Sequence, residues 1–108
     1  MTETVYMVKN DTNRPLEATL TWKDGTTVDL TGAAAKFHMR KGSALLIDKT
    51  ATILAPPTSG KVQYNWAAGE TNVTGVCEAE FEVTFGDGKI ATFPAQGFLY
   101  IAFREEVA

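Results

Sequence analysis

Residues 15–32, PLEATLTWKDGTTVDLTG, alternate apolar and polar positions with a strict period of two. Leu16, Ala18, Leu20 and Trp22 fall on one face, with Glu17, Thr19, Thr21 and Lys23 on the other. A strand with one buried face requires that pattern. Asp24-Gly25 then supplies a tight turn, because glycine accepts the positive φ that hairpin turns demand. Val28 and Leu30 resume the alternation, and Thr31-Gly32 ends it. The same grammar recurs at Phe85-Gly86-Asp87-Gly88-Lys89. A chain written this way is built of short antiparallel strands.

Turn signals divide the remainder into further strand candidates at 4–8, 16–22, 27–30, 34–40, 44–47, 50–54, 61–66, 76–85, 89–93 and 98–103. Their spacing is that of an all-β sandwich. No segment sustains a 3.6-residue apolar period, so no long helix is expected, and the tract 67–74 has room for one helical or 3₁₀ turn. The expected fold is a single antiparallel immunoglobulin-like β-sandwich domain spanning residues 1–108.

Composition narrows the function classes. With 44% hydrophobic and 21% charged residues the chain is ordinary for a globular protein, and 108 residues suffice to bury a core. The net charge of −3 and ten scattered basic residues argue against nucleic acid as a partner. No apolar run approaches the roughly 18 residues of a membrane span, so no membrane partner is expected. The opening MTETVYMVKND lacks a basic region followed by an apolar stretch, which reads as the absence of a signal peptide and as synthesis in a cytoplasm.

The chemistry-bearing residues do not assemble into a catalytic constellation. Cys77 is the lone cysteine, in phase with Ala79, Phe81, Val83 and Phe85, and reads as an inert core residue. Glu78, Glu80 and Glu82 line one strand face about 7 Å apart, a solvated row or a contact for a basic partner. His38 projects opposite to Phe37 and Met39, without an acidic neighbour in phase along its own strand. Ser43 and Ser59 lie in turns without a nucleophile elbow. Gly86-Asp87-Gly88-Lys89 lacks the following helix of a phosphate-binding loop. The reading is therefore non-enzymatic, with no cofactor and no metal. Asn10-Asp11-Thr12 and Asn72-Val73-Thr74 are chance matches to a glycosylation pattern. Trp22, Tyr64 and Trp66 could form an aromatic platform for a carbohydrate or host-surface ligand, although their phase with Leu20 and Val62 favours core packing.

Two segments break the one-face rule. Phe98 to Phe103 and Val5 to Val8 are apolar on both faces, and a strand in a two-layer fold has only one face to hide. Loops capping the strand ends account for this, and so does contact with another subunit. First and last strands lie side by side in many immunoglobulin-like folds. Such pairing would gather Tyr6, Val8, Phe98 and Tyr100, or the residues of the opposite register, into one exposed apolar patch of the kind that marks an interface.

Several segments, taken in order, carry a family resemblance. They are Pro15-Leu16 through Asp24-Gly25 to Val28-Asp29-Leu30-Thr31-Gly32-Ala33, then Ala35-Lys36-Phe37-His38-Met39-Arg40 and Gly60-Lys61-Val62-Gln63-Tyr64-Asn65-Trp66. Thr74-Gly75, Glu78-Ala79-Glu80-Phe81-Glu82-Val83 and Asp87-Gly88-Lys89 with Thr92-Phe93-Pro94 complete the series. In this the chain resembles the N-terminal immunoglobulin-like domain of siphophage baseplate upper proteins and related phage tail components. The resemblance implies a virion structural protein made in the host cytoplasm. Its partners would be other phage structural proteins or further copies of itself, and no catalytic residues carry over.

Overall fold

The computed structural model describes residues 3–107. Its strands are β1 (Glu3–Val8), β2 (Leu16–Thr19), β3 (Ala34–Lys41), β4 (Ala44–Ile53), β5 (Lys61–Tyr64), β6 (Gly75–Thr84), β7 (Ile90–Phe93) and β8 (Leu99–Arg104). They hydrogen-bond in the order β1-β8-β6-β3-β4-β5-β2, with β7 alongside the second half of β6. The sheet curls into a half-barrel around its apolar side. The all-β expectation stands, with one correction: the sheet is mixed, because β1 runs parallel to β8. The alternation of each strand does not encode the direction of its neighbour, so this pairing was not readable locally.

Two long strands make the curl possible. β4 pairs with β3 through Ala44–Ala51 and hands its last residues, Thr52 and Ile53, to β5. A bulge at Met39/Arg40 lies opposite the start of β4, and bulges sharpen the local twist. The sequence reading split this strand at Asp48-Lys49, but the chain stays extended throughout. β6 likewise pairs with β8 over its first half and with β7 over its second.

The first hairpin is shorter than its alternation suggests. β2 ends at Thr19, and residues 27–30 form no strand beyond a single bridge from Thr21 to Thr27. Asp24 accepts hydrogen bonds from the Thr26 N–H and hydroxyl at 3.0 and 2.6 Å and shapes the turn. The single 3₁₀ turn among the described residues falls at Pro57–Ser59, not within 67–74. Pro57 pre-sets its first φ and Gly60, at φ 70°, ends it.

Alternation fills the inside of the curl. Ala35, Phe37 and Met39 of β3 meet Cys77, Ala79, Phe81 and Val83 of β6 and Leu99, Ile101 and Phe103 of β8. Phe37 stacks on Tyr64 at 4.5 Å and meets Trp66 edge-on at 5.7 Å. Burying an aromatic of this size stabilises by roughly 1.5–3 kcal/mol, so this cluster ties the β5 side of the curl to its β3–β6 wall. Cys77 sits fully within the core, where burial pushes its thiol pKa up.

Candidate functional site

β1 and β8 lie side by side, Thr4 opposite Tyr100, Tyr6 opposite Ala102 and Val8 opposite Arg104. Alternation sends Val5, Met7, Leu99, Ile101 and Phe103 toward the core. Tyr6, Val8, Phe98 and Tyr100 are left on the outer face. The structure thus selects one of the two registers open to the sequence. Tyr6 is 80% exposed, and Val8, Phe98 and Tyr100 are half-buried. Phe98 and Tyr100 meet edge-to-face at 6.4 Å. Val76, opposite Ala102, and Leu45 add further exposed apolar surface.

A band of charge borders this strip. β3 and β6 pair so that Arg40 faces Glu78, His38 faces Glu80 and Lys36 faces Glu82. Arg40 Nε donates to Glu78 Oε1 at 2.9 Å, and its guanidinium lies 4.9 Å from the Phe98 ring centre, a cation–π contact that joins the band to the aromatic strip. His38 stands between two carboxylates, with Nδ1 3.0 Å from Glu80 Oε2 and Nε2 3.2 Å from Asp48 Oδ1. Lys36 Nζ reaches the same Asp48 oxygen at 3.1 Å. The hydrogen bond from Lys36 is the chief cause holding the Asp48 carboxyl below its usual range.

The sequence reading of His38 and of the glutamate row is corrected here. His38 has acidic neighbours, supplied by β4 and β6, and Glu78 and Glu80 are engaged within the chain. Neither contact has a signal along a single strand, because both depend on register between strands distant in sequence. Among the described residues no cluster of His, Cys, Asp and Glu is arranged to hold a metal ion. An apolar strip beside fixed charges can bury surface and set orientation; it offers no activated nucleophile.

The proposed aromatic platform does not come together. Tyr64 and Trp66 are buried in the core cluster. Trp22 is 43% exposed, at the hairpin tip against Phe85 and Phe93 at 6.1 and 5.3 Å. It shares the phase of Leu20, but the hairpin carries it past the cover that buries Leu20.

One anchoring residue had no sequence signal. Glu70 accepts hydrogen bonds from the Tyr64 hydroxyl at 2.9 Å and the Ala67 N–H at 2.7 Å, and pairs with Lys49 at 2.7 Å. Burial works to raise its pKa, but these three donors outweigh it and hold the carboxyl below its usual range. For Tyr64, burial first and then the Glu70 carboxylate push the phenol well above its ordinary value. The contacts of Glu70 pin the loop 67–74 to the sheet.

The chain is a small all-β module whose β1–β8 ribbon carries apolar residues on its outer face. The family model described as the BppU N-terminal domain, that of baseplate upper proteins, matches residues 2–101. The chain belongs to this phage baseplate family. No curated protein matches the sequence. Among solved structures, the crystal structure of CopC from Methylosinus trichosporium OB3b superposes with a TM-score of 0.56 at 12% identity, over 98% of this chain and 88% of that one. At that identity the likeness is one of fold alone.

Proposed function

We propose that this chain is a virion structural protein of a phage tail or baseplate, working by protein–protein assembly through the outer face of the β1–β8 ribbon. The observation that carries the reading is Tyr6, four-fifths exposed opposite Ala102 on the outer face that also carries the Phe98–Tyr100 pair, on strands that are apolar on both sides. An isolated soluble module has no use for such a strip, whereas symmetric particles use self-complementary or head-to-tail patches of this kind. The partners are other phage structural proteins or further copies of the chain. Charge fixed at Arg40–Glu78 and Lys36–Asp48 sets orientation at the rim, since electrostatic complementarity contributes specificity more than affinity.

The proposal keeps the module as one immunoglobulin-like unit, on the strength of its first and last strands lying adjacent. It assigns the chain no catalytic role. The second reading, a carbohydrate- or host-surface-binding module, rests on Trp22 alone, because Tyr64 and Trp66 are buried.

The test places a photo-crosslinking benzoylphenylalanine at position 6 in the phage that encodes the chain. Illumination of intact particles is expected to join it to another structural chain or to a second copy. Crosslinks absent at position 6 but present at position 22 would overturn the assignment of the face.

A further inference from the structure

The sheet path begins at β1 and ends at β2, and among the described residues neither strand has a partner on its far side. The ladder pattern identifies the main-chain groups left free. In a parallel pair a residue directs its N–H and C=O to the same neighbour. The Lys9 N–H donates to the Arg104 C=O at 2.9 Å, so the odd residues of β1 engage β8. The N–H and C=O of Thr4 and Tyr6, and the N–H of Val8, therefore point away from the sheet. On β2, the Leu20 N–H donates to the Gly60 C=O at 2.7 Å. That bond turns Leu16 and Ala18 toward β5 and leaves the main chain of Glu17 and Thr19 facing outward.

Both free edges border one groove of about 590 Å³, walled by Val5–Val8 on one side and by Leu16 and Glu17 on the other, with Trp66 and Phe103 lining it. Arg14 and Arg104 stand at its rim, and among the described residues neither takes part in an ion pair. Asp11 and Glu17 place the opposite sign on the same rim. Unpaired strand edges are templates for pairing with another chain. Here two of them flank the slit where the half-barrel stays open.

We propose that this groove receives an extended segment of another polypeptide, which adds to the free edge of β1 as a strand and bridges toward β2. At roughly 3.3 Å per residue, the edge from Thr4 to Val8 accommodates about five residues. Main-chain hydrogen bonds supply the affinity in this mode, and side-chain complementarity supplies the choice of partner. Alternate residues of the segment would lie against Trp66 and Phe103. An acidic side chain on it would answer the two unpaired arginines at the rim. This site goes beyond the outer-face docking above, since it uses the edge of the sheet and not its face.

The test pans a library of random linear peptides against the folded chain and follows amide hydrogen exchange of the chain saturated with the selected peptide. The Thr4 and Tyr6 amides are expected to slow by about tenfold or more, while a Tyr100→Glu variant, altered only on the outer face, binds the peptide unchanged. Tyr6→Pro removes one groove-facing N–H and spares the bonds to β8; it and Arg14→Glu are each expected to weaken binding roughly fivefold or more. If Tyr6→Pro does not fold, N-methylation of alternate peptide residues makes the same test from the ligand side, and loss of binding is expected. A library yielding no binder, Thr4 and Tyr6 amides that exchange as before, or undiminished binding of the methylated peptide would each overturn the proposal.

Discussion

Glu70 accepts from Tyr64 and Ala67 and pairs with Lys49, and these donors lower its pKa against the opposing effect of burial. A carboxyl lowered in the folded state contributes stability above its unfolded pKa, and that contribution is lost as pH falls through the folded value. The loss therefore falls below the ordinary glutamate value of 4.5. Glu70→Gln is expected to lower the urea midpoint at neutral pH, by about 1–3 kcal/mol of stability. It should also flatten the decline toward about pH 3, because the substituted side chain does not titrate. Gly60 illustrates a different constraint. It sits at φ 70°, and a Cβ there would lie 2.9 Å from the Leu20 carbonyl oxygen and 3.1 Å from that of Val28. Gly42 has a similar φ with open space around it. Gly42→Ala is expected to cost about 1–2 kcal/mol, the strain of the left-handed region, and Gly60→Ala distinctly more, both read from thermal or urea unfolding. The turn glycines were legible in the sequence, but which of them is also packed against backbone was not, because that depends on where the first hairpin crosses residue 60.

Strand identity was largely legible wherever alternation was strong. β3, β6 and β8 fall within a residue or so of their expected places because buried and exposed positions trade off one by one. The failures have a common cause. The segment 27–30 alternates well, yet its neighbours bond it only at scattered points, Val28 N–H to Leu20 C=O and Leu30 N–H to Pro57 C=O. Alternation reports a buried face; it does not report a ladder partner. The charge band of β3 and β6 was illegible for the same reason. Arg40 there is expected to matter little for stability. Its pair with Glu78 is largely exposed, so Arg40→Ala should cost about 0–1 kcal/mol from the ion pair and about 0.5–1 kcal/mol from the ring contact, measured by urea unfolding. A much larger loss would mean that the band holds the fold together and does not merely border the strip.

At the scale of the molecule, the two ends of the chain form adjacent parallel strands, and the order of the sheet leaves its first and last strands as open edges around a slit. The apolar excess on the terminal segments was visible in the sequence, and it pointed to the correct pair of strands. Their parallel direction, the curl into a half-barrel and the groove between the edges all arise from pairing over long sequence separations, which no local pattern specifies. The separation of Tyr64 and Trp66 from Trp22 has the same origin. The aromatics were recognisable as strand residues, but their distances depend on how the sheet closes. The proposed docking through the outer face rests on the exposed apolar surface of Tyr6, Leu45 and Val76.

The most direct test of that assignment compares incorporation of wild-type and Tyr6→Glu/Tyr100→Glu chains into particles of the encoding phage, alongside circular dichroism and thermal unfolding of the purified chains. The expected result is an unchanged fold and melting temperature with the doubly substituted chain missing from assembled particles. Incorporation at the wild-type level, by a variant that is equally well folded, would contradict the account.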